Sequence, residues 1–361
     1  MTWKHDVYRP ARLAPFLALL TVQLLLASTT AVAAAWVAVG ENGTIIYSAD
    51  GINWSNAVSP TAQTLRGVDF DGAGTWAAAG QNGTIVSSTD AINWAQQSSG
   101  NTDALWGTTF AGGQWIVSGG NGRIVTSPDS MAWTSVNSGY AFTLFDIAYD
   151  GSGLYAISGD SGFAPSLLTS NDAVTWSQRT PNPNNGEGLY GIAYGAGKWV
   201  AVGDVGTILT SVDPDSRTWT TETSGTSEYL RDIIYNGSNL YVAVGEGGVI
   251  LTSADASIWT PRSSGTTSDL WGVEYDGAGL YVIVGFDGTI LSSTDAIHWT
   301  PRTSPTSQRL RDVGVGRLPP PPAPPTPVPT LPLPLLTLLA LLVAGVGKKG
   351  TQLFFKRKSK E

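Results

Sequence analysis

The residues of this chain best suited to chemistry recur at one position of a repeat. Arg66, Trp106, Phe145, Tyr190, Arg231, Trp271 and Arg311 each stand second in a short apolar phrase opened by a leucine, at Leu65, Leu105, Leu144, Leu189, Leu230, Leu270 and Leu310. The set holds three arginines and four aromatics, with no small or aliphatic member. Flat aromatic faces and planar guanidinium forks suit sugars, carboxylates and peptide side chains, so these residues read as a binding collar. The alternative is packing: large side chains at one repeat position can fill gaps between units and reach ion partners. The next position reads Gly67, Gly107, Asp146, Gly191, Asp232, Gly272 and Asp312. Three carboxylates there either make an acidic channel able to hold a cation or cap nearby backbone amides, as short Asp side chains readily do.

Composition excludes several chemistries. There is no cysteine, hence no disulfide, no thiol nucleophile and no Cys-based zinc site. The two histidines are His5, in the N-terminal leader, and His298, so a two-histidine metal site is excluded by count. No metal or cofactor is expected. Residues 36–318 carry 11 basic and 26 acidic side chains, a balance of −15, whereas the whole chain stands at −8. Such a field repels phosphate backbones and argues against nucleic acid as a partner.

The elements that must position the collar are announced by a second phrase, Ser-x-Asp-x-x-x-Trp. It occurs as Ser48, Asp50, Trp54; Ser88, Asp90, Trp94; Ser127, Asp129, Trp133; and Ser170, Asp172, Trp176. A stretched copy, Ser211, Asp213, Trp219, precedes Ser253, Asp255, Trp259 and Ser293, Asp295, Trp299. The seven tryptophans lie 39 to 43 residues apart. A period of about 40 with short apolar runs and Gly-rich turns is the mark of a blade array. Within one unit, residues 65–70 read as an innermost strand and 75–80 as the second. Asn82 and Gly83, both able to take positive φ, make a tight hairpin to the third strand at 84–88, and Trp94 opens the outermost. Four antiparallel strands per unit repeated radially predict an all-β, seven-bladed β-propeller. The first unit lacks an inner strand, and residues 310–315 are left over to supply it, which closes the ring and removes its exposed edges.

Both ends read as targeting segments. Residues 1–35 carry Lys4, Arg9 and Arg12, an apolar run and a small-residue stretch, the pattern of a secretory signal peptide. The propeller is expected over 36–316 and a proline-rich linker over 317–330. Residues 319–330 alone would reach ~37 Å as polyproline. An apolar membrane or sorting segment follows at 331–347, then a basic cytoplasmic tail at 348–361. The expectation is an exported bacterial protein anchored at the membrane or cell surface, with the propeller on the extracytoplasmic side.

These phrases carry three resemblances. The Ser-x-Asp-x-x-x-Trp phrase resembles the Asp-box of BNR-type propellers, which implies a structural staple on the face opposite the functional one. The wider unit, Leu-x-x-Val-x-Phe leading to Ala-Val-Gly-x-x-Gly-x-Ile and then the box, is similar to the photosystem II stability and assembly factor type, over all seven repeats. The tail, with Val328-Pro329-Thr330-Leu331, a Leu-rich span and a basic end, resembles PEP-CTERM sorting signals of the variant opening Ile-Pro-Thr-Leu. That last likeness implies recognition by an exosortase-type processing enzyme.

Loop lengths add a second candidate site. The fourth unit has a longer hairpin through Phe163, and the next connection is two residues longer through Asn182, Asn184, Asn185 and Glu187. Variable loops on a rigid ring are where binding specificity resides. The functional expectation is a non-catalytic binding or scaffold module for a protein or glycan ligand on the collar face. A sialidase-related glycoside hydrolase is the alternative, needing two carboxylates across a cleft, and no residue is singled out as its acid.

Overall fold

The computed structural model describes residues 36–162, 165–181, 188–215 and 218–316. The leader, the proline-rich linker, the apolar run and the basic tail therefore lie outside the described residues, as do Phe163, Asn182, Asn184, Asn185 and Glu187. The described residues form seven four-stranded antiparallel sheets arranged as a propeller. In blade 2 the strands run outward as Leu65–Phe70, Trp76–Gly80, Thr84–Ser88 and Ala95–Ser98. The second strands are buried along all or nearly all of their length, fully so in Trp36–Gly40 and Tyr241–Gly245, because sheets cover both of their faces. That is why they read as continuous apolar runs instead of alternating ones. Outermost strands such as Ala95–Ser98 are mostly exposed and polar.

The ring closes as expected. Leu310–Val315 pairs with Trp36–Gly40 and becomes the inner strand of blade 1, whose sheet is completed by Ile45–Ser48 and Ser55–Asn56. Leu310 and Val313 are buried with Trp54, Val282 and Val284, which ties both chain ends to blade 7. Trp36 lies opposite both Val315 and Ser48. The two ends of the described chain thus emerge on the face that carries the Ser-x-Asp turns, the box face. The hairpins between second and third strands lie on the opposite, collar face. There Asn42, Asn82 and Asn121 hold φ of 54°, 53° and 55°, the left-handed region that asparagine tolerates. Val205 occupies the equivalent place at φ 50°, a costly conformation for a β-branched residue.

The box turns are locked by their own polar groups. In the first, the Asp50 carboxylate accepts from the amides of Ile52 and Asn53 at 2.9 and 2.8 Å and from the Ser48 hydroxyl at 3.0 Å. The Trp54 indole donates to the Gly51 carbonyl at 3.2 Å. The same pattern of amide bonds recurs at Asp90, Asp129, Asp172, Asp255 and Asp295. The stretched fifth copy departs from it. Ser211 donates to the carbonyls of Asp213 and Thr218, and Asp215 accepts from Thr169 and from Arg179 of blade 4. The two extra residues convert that turn into a link between blades.

Candidate functional site: a collar around the channel mouth

A β-bulge sets the site. In each of the seven blades the register between inner and second strand shifts just after the opening residues, so that Leu65 faces Gly80 while Gly67 faces Ala79, leaving Arg66 unopposed. The same shift frees Tyr190, Arg231, Trp271 and Arg311, and wider ones release Trp106 and Phe145. Bulges re-aim a side chain while the flanking ladder continues. Leucine stays buried between blades, and the bulged residue turns to the channel. All seven collar residues are half-buried and line one cavity of about 370 Å³, together with Asp146, Asp232, Asp312, Thr108 and Thr143.

The collar is continuous for most of its circumference. The Arg66 guanidinium lies 3.8 Å over the Trp106 ring, Trp106 meets Phe145 edge-on at 5.1 Å, and Phe145 meets Tyr190 at 5.0 Å. Arg231 lies 4.6 Å from the Tyr190 ring centre and 4.7 Å from that of Trp271, and Arg311 lies 4.6 Å from the same Trp271 ring centre. Packing and lining are therefore the same arrangement, since each side chain stacks on a neighbour and shows its remaining surface to the cavity. Burial and the Asp204 carboxylate push the Tyr190 phenol up.

The arginines differ in their partners. Arg231 is paired with Glu246, and Arg311 with Glu41 at 2.9 Å. Arg66 has no ion pair among the described residues, and its Nε and Nη1 have no hydrogen-bond partner. Desolvation, then the nearby Arg311 charge, lowers it to about 10, which still leaves it cationic at neutral pH. Arg311 Nε, Trp271 Nε1 and Thr108 Oγ1 are likewise enclosed without partners. Donors thus accumulate around the mouth without acceptors of their own.

Beneath them, the three carboxylates cap amides. Asp146 accepts from its own successor Ile147 at 2.7 Å and from Ile192 of the next blade at 2.9 Å. Asp232 bridges Ile233 and Val273 in the same way, and Asp312 bridges Val313 and Val68. Enclosure by protein pushes all three upward, with the Asp232 charge adding to Asp146 and Asp312. Among the described residues no cluster of His, Cys, Asp or Glu could hold a metal ion. The intervening glycines answer to the same crowding: a Cβ on Gly191 or Gly272 would come within 2.9 Å of the Cα of Asp232 or Asp312 in the next blade. Aspartate at this level therefore needs glycine in the blade before it. With seven blades the alternation cannot close, and Gly67 and Gly107 stand side by side, where a Gly67 Cβ would lie 2.4 Å from the Trp106 carbonyl oxygen.

Three features escaped the sequence reading. The bulges have no residue signature. Asp69, two positions further along blade 2, is a fourth clamp, accepting from Phe110 of blade 3 at 2.7 Å, and is pushed by burial to about 6. The acidic partners Glu41 and Glu246 stand directly after the glycine that ends each second strand, a position the repeat does expose.

Solved structures share this architecture at low identity. YCF48 bound to D1 peptide is similar over 68% of this chain and 82% of that one, at 16% identity and a TM-score of 0.54. YCF48 from Cyanidioschyzon merolae is similar over 73% and 98%, at 14% identity and a TM-score of 0.57. The nidogen/laminin complex is similar over 78% and 98%, at 10% identity and a TM-score of 0.49. No protein-family model matches the chain, and the search of curated proteins finds no match. For the two YCF48 structures, at these identities, the likeness is one of fold.

Proposed function

We propose that this chain is an exported, membrane- or surface-anchored propeller that binds a protein partner on its collar face without catalysing a reaction there. The observation that carries the reading is the set of unpartnered donors around the cavity, above all Arg66, beside the aromatic arc of Trp106, Phe145 and Tyr190. A buried donor left without an acceptor costs ~1–3 kcal/mol, and a ligand that brings carbonyl or carboxylate oxygens recovers it. A peptide segment supplies such oxygens together with side chains for the aromatic faces. YCF48, similar in fold, has been solved with a bound D1 peptide. The glycosidase alternative is weakened by the carboxylates, because both oxygens of Asp146, Asp232 and Asp312 are committed to backbone amides.

Anchoring rests on the sequence of the two ends: the leader at 1–35, and the linker, apolar run and basic tail from 317 onward, with processing by an exosortase-type enzyme included in the proposal. Among the described residues no helix is long and apolar enough to cross a membrane. The test of binding is a peptide and glycan array probed with the protein and with Arg66→Ala and Trp106→Ala. Loss of the same signals in both variants supports the reading, and signals indifferent to both refute it. For anchoring, removal of residues 331–361 should release the protein from the membrane fraction, and full-length protein recovered soluble in the cytoplasm would contradict it.

A further inference from the structure

The exposed apolar side chains are not scattered over this propeller. Ile52, Met131, Val174, Val212, Ile258 and Ile297 are exposed large hydrophobics, and each sits in the Ser-x-Asp turn of a different blade. In the remaining blade Ile92 is half-buried, and exposed Val58 stands beside it, its amide bonded to the Ile92 carbonyl at 2.8 Å. Six of the seven blades therefore carry an exposed apolar tip on one face, the box face, and two of the tips reach 76% and 73% exposure at Val212 and Ile258. Single exposed aliphatics need no explanation, but six in the corresponding turns of six blades do. The collar face has only Val205 and Tyr229 in this class among the described residues.

Two further observations say what covers these tips. The inner strand of blade 1 ends at Val315, level with Trp36 and Ser48, so the chain leaves Gly316 on the box face. Residues 317–330 then lead to the apolar run 331–347. Even as extended polyproline, those 14 residues reach no more than ~43 Å, so the anchoring reading tethers the propeller to the membrane by a short lead from this face. Second, the tips are separated by polar turns in which the box aspartates stay ionised. No single contiguous apolar patch joins the tips, and shallow insertion of apolar side chains at a bilayer interface adds their buried areas point by point, next to the anchored end of the chain.

We infer that the box face rests on the lipid bilayer, with its ring of aliphatic tips inserted at the interface and the collar turned away from the membrane. The inference rests on the anchoring reading above. The face also carries Asp50, Asp90 and Asp295 in its box turns and Asp71, Asp150 and Asp276 in turns at the same level, so the lipid it suits is zwitterionic. Anionic lipid should weaken the contact.

Because the chain has no cysteine, a single one can be placed at will. Full-length protein carrying Val212→Cys or Ile258→Cys, or Val205→Cys on the collar face as a control, is labelled with an environment-sensitive fluorophore and reconstituted into phosphatidylcholine vesicles. Flotation reports anchoring, and emission with quenching by doxyl-lipid reports docking. The expected result is flotation of all three, a blue shift and loss of emission to doxyl-lipid at the two box-face positions, and neither at position 205. Adding phosphatidylglycerol should reverse part of the shift, and Met131→Ser with Val174→Ser should reduce it with unchanged melting. Flotation with box-face labels as wet as the control overturns the docking while anchoring stands. Box-face labels shielded equally in lipid-free, detergent-held protein indicate a second copy of the chain and overturn it too. Failure to float removes the anchoring reading and the docking with it.

Discussion

Leu310 tests whether the C-terminal strand is part of the ring. It is fully buried and packs in the cluster of Trp54, Val282, Val284, Ile290 and Val313. Leu310→Ala deletes three carbons from a site walled by blades 1 and 7, whose second strands are held by ladders on both sides and have little room to collapse. Buried Leu→Ala changes cost ~2–5 kcal/mol, with the upper part for sites that cannot relax, so ~3–4 kcal/mol is expected. Against a typical net stability of ~5–15 kcal/mol, that is a large fraction. The assay is urea unfolding, read as a lower midpoint at unchanged slope. Leu65→Ala, at the equivalent fully buried position of blade 2, should cost the same. Deleting residues 310–315 should do more, since Trp36–Gly40 loses its inner partner strand and the Val68 amide loses its acceptor, Asp312. An effect of Leu310→Ala within the ~0.5 kcal/mol of an ordinary surface change, beside a costly Leu65→Ala, would refute the closure.

Arg66→Ala should abolish ligand binding on the array while leaving the melting temperature unchanged or slightly raised, because the side chain is desolvated without an ion partner. Trp259→Ala, on a buried indole that donates to the Ala256 carbonyl at 3.0 Å, should do the reverse and cost ~3–5 kcal/mol in urea unfolding without touching the collar. Val205→Asn should raise stability by ~1 kcal/mol, since it relieves a β-branched residue held in the left-handed region; a lower melting temperature would contradict the strain. Stability should also fall as pH rises from ~4: Asp69, raised to about 6 by burial, and Asp146, Asp232 and Asp312, raised likewise, keep protons that the unfolded chain has already released. At Asp50 and Asp90 desolvation, the largest single effect, is outweighed by the amide and side-chain bonds taken together, which leaves both at about 2, so their contribution holds above ~4 and is lost toward pH 2. Melting curves across pH should therefore peak near ~4–5, and a monotonic rise to pH 8 would show that the inner carboxylates are not enclosed.

Period, strand order and closure were legible in the residues because each blade repeats the same local problem. The Trp that opens an outer strand, the Asn-Gly hairpin and the Ser-Asp turn are short-range devices, and their spacing counts seven blades without any tertiary information. The surplus strand at 310–315 matched the missing one by the same count. That the second collar positions share one cavity followed from radial symmetry alone. What the collar can bind did not follow. The bulge that swings Arg66 and its equivalents toward the channel is a shift of register between strands, invisible in either strand's own sequence. Whether an arginine is paired or free depends on which hairpin lies beside it, so Arg231 and Arg311 have carboxylates and Arg66 has none among the described residues. The repeat likewise hid the difference between a box that staples its own turn and the fifth, where Asp215 crosses to blade 4. Local chemistry repeats and can be read along the chain; the pairing of side chains from different blades exists only once the ring has closed.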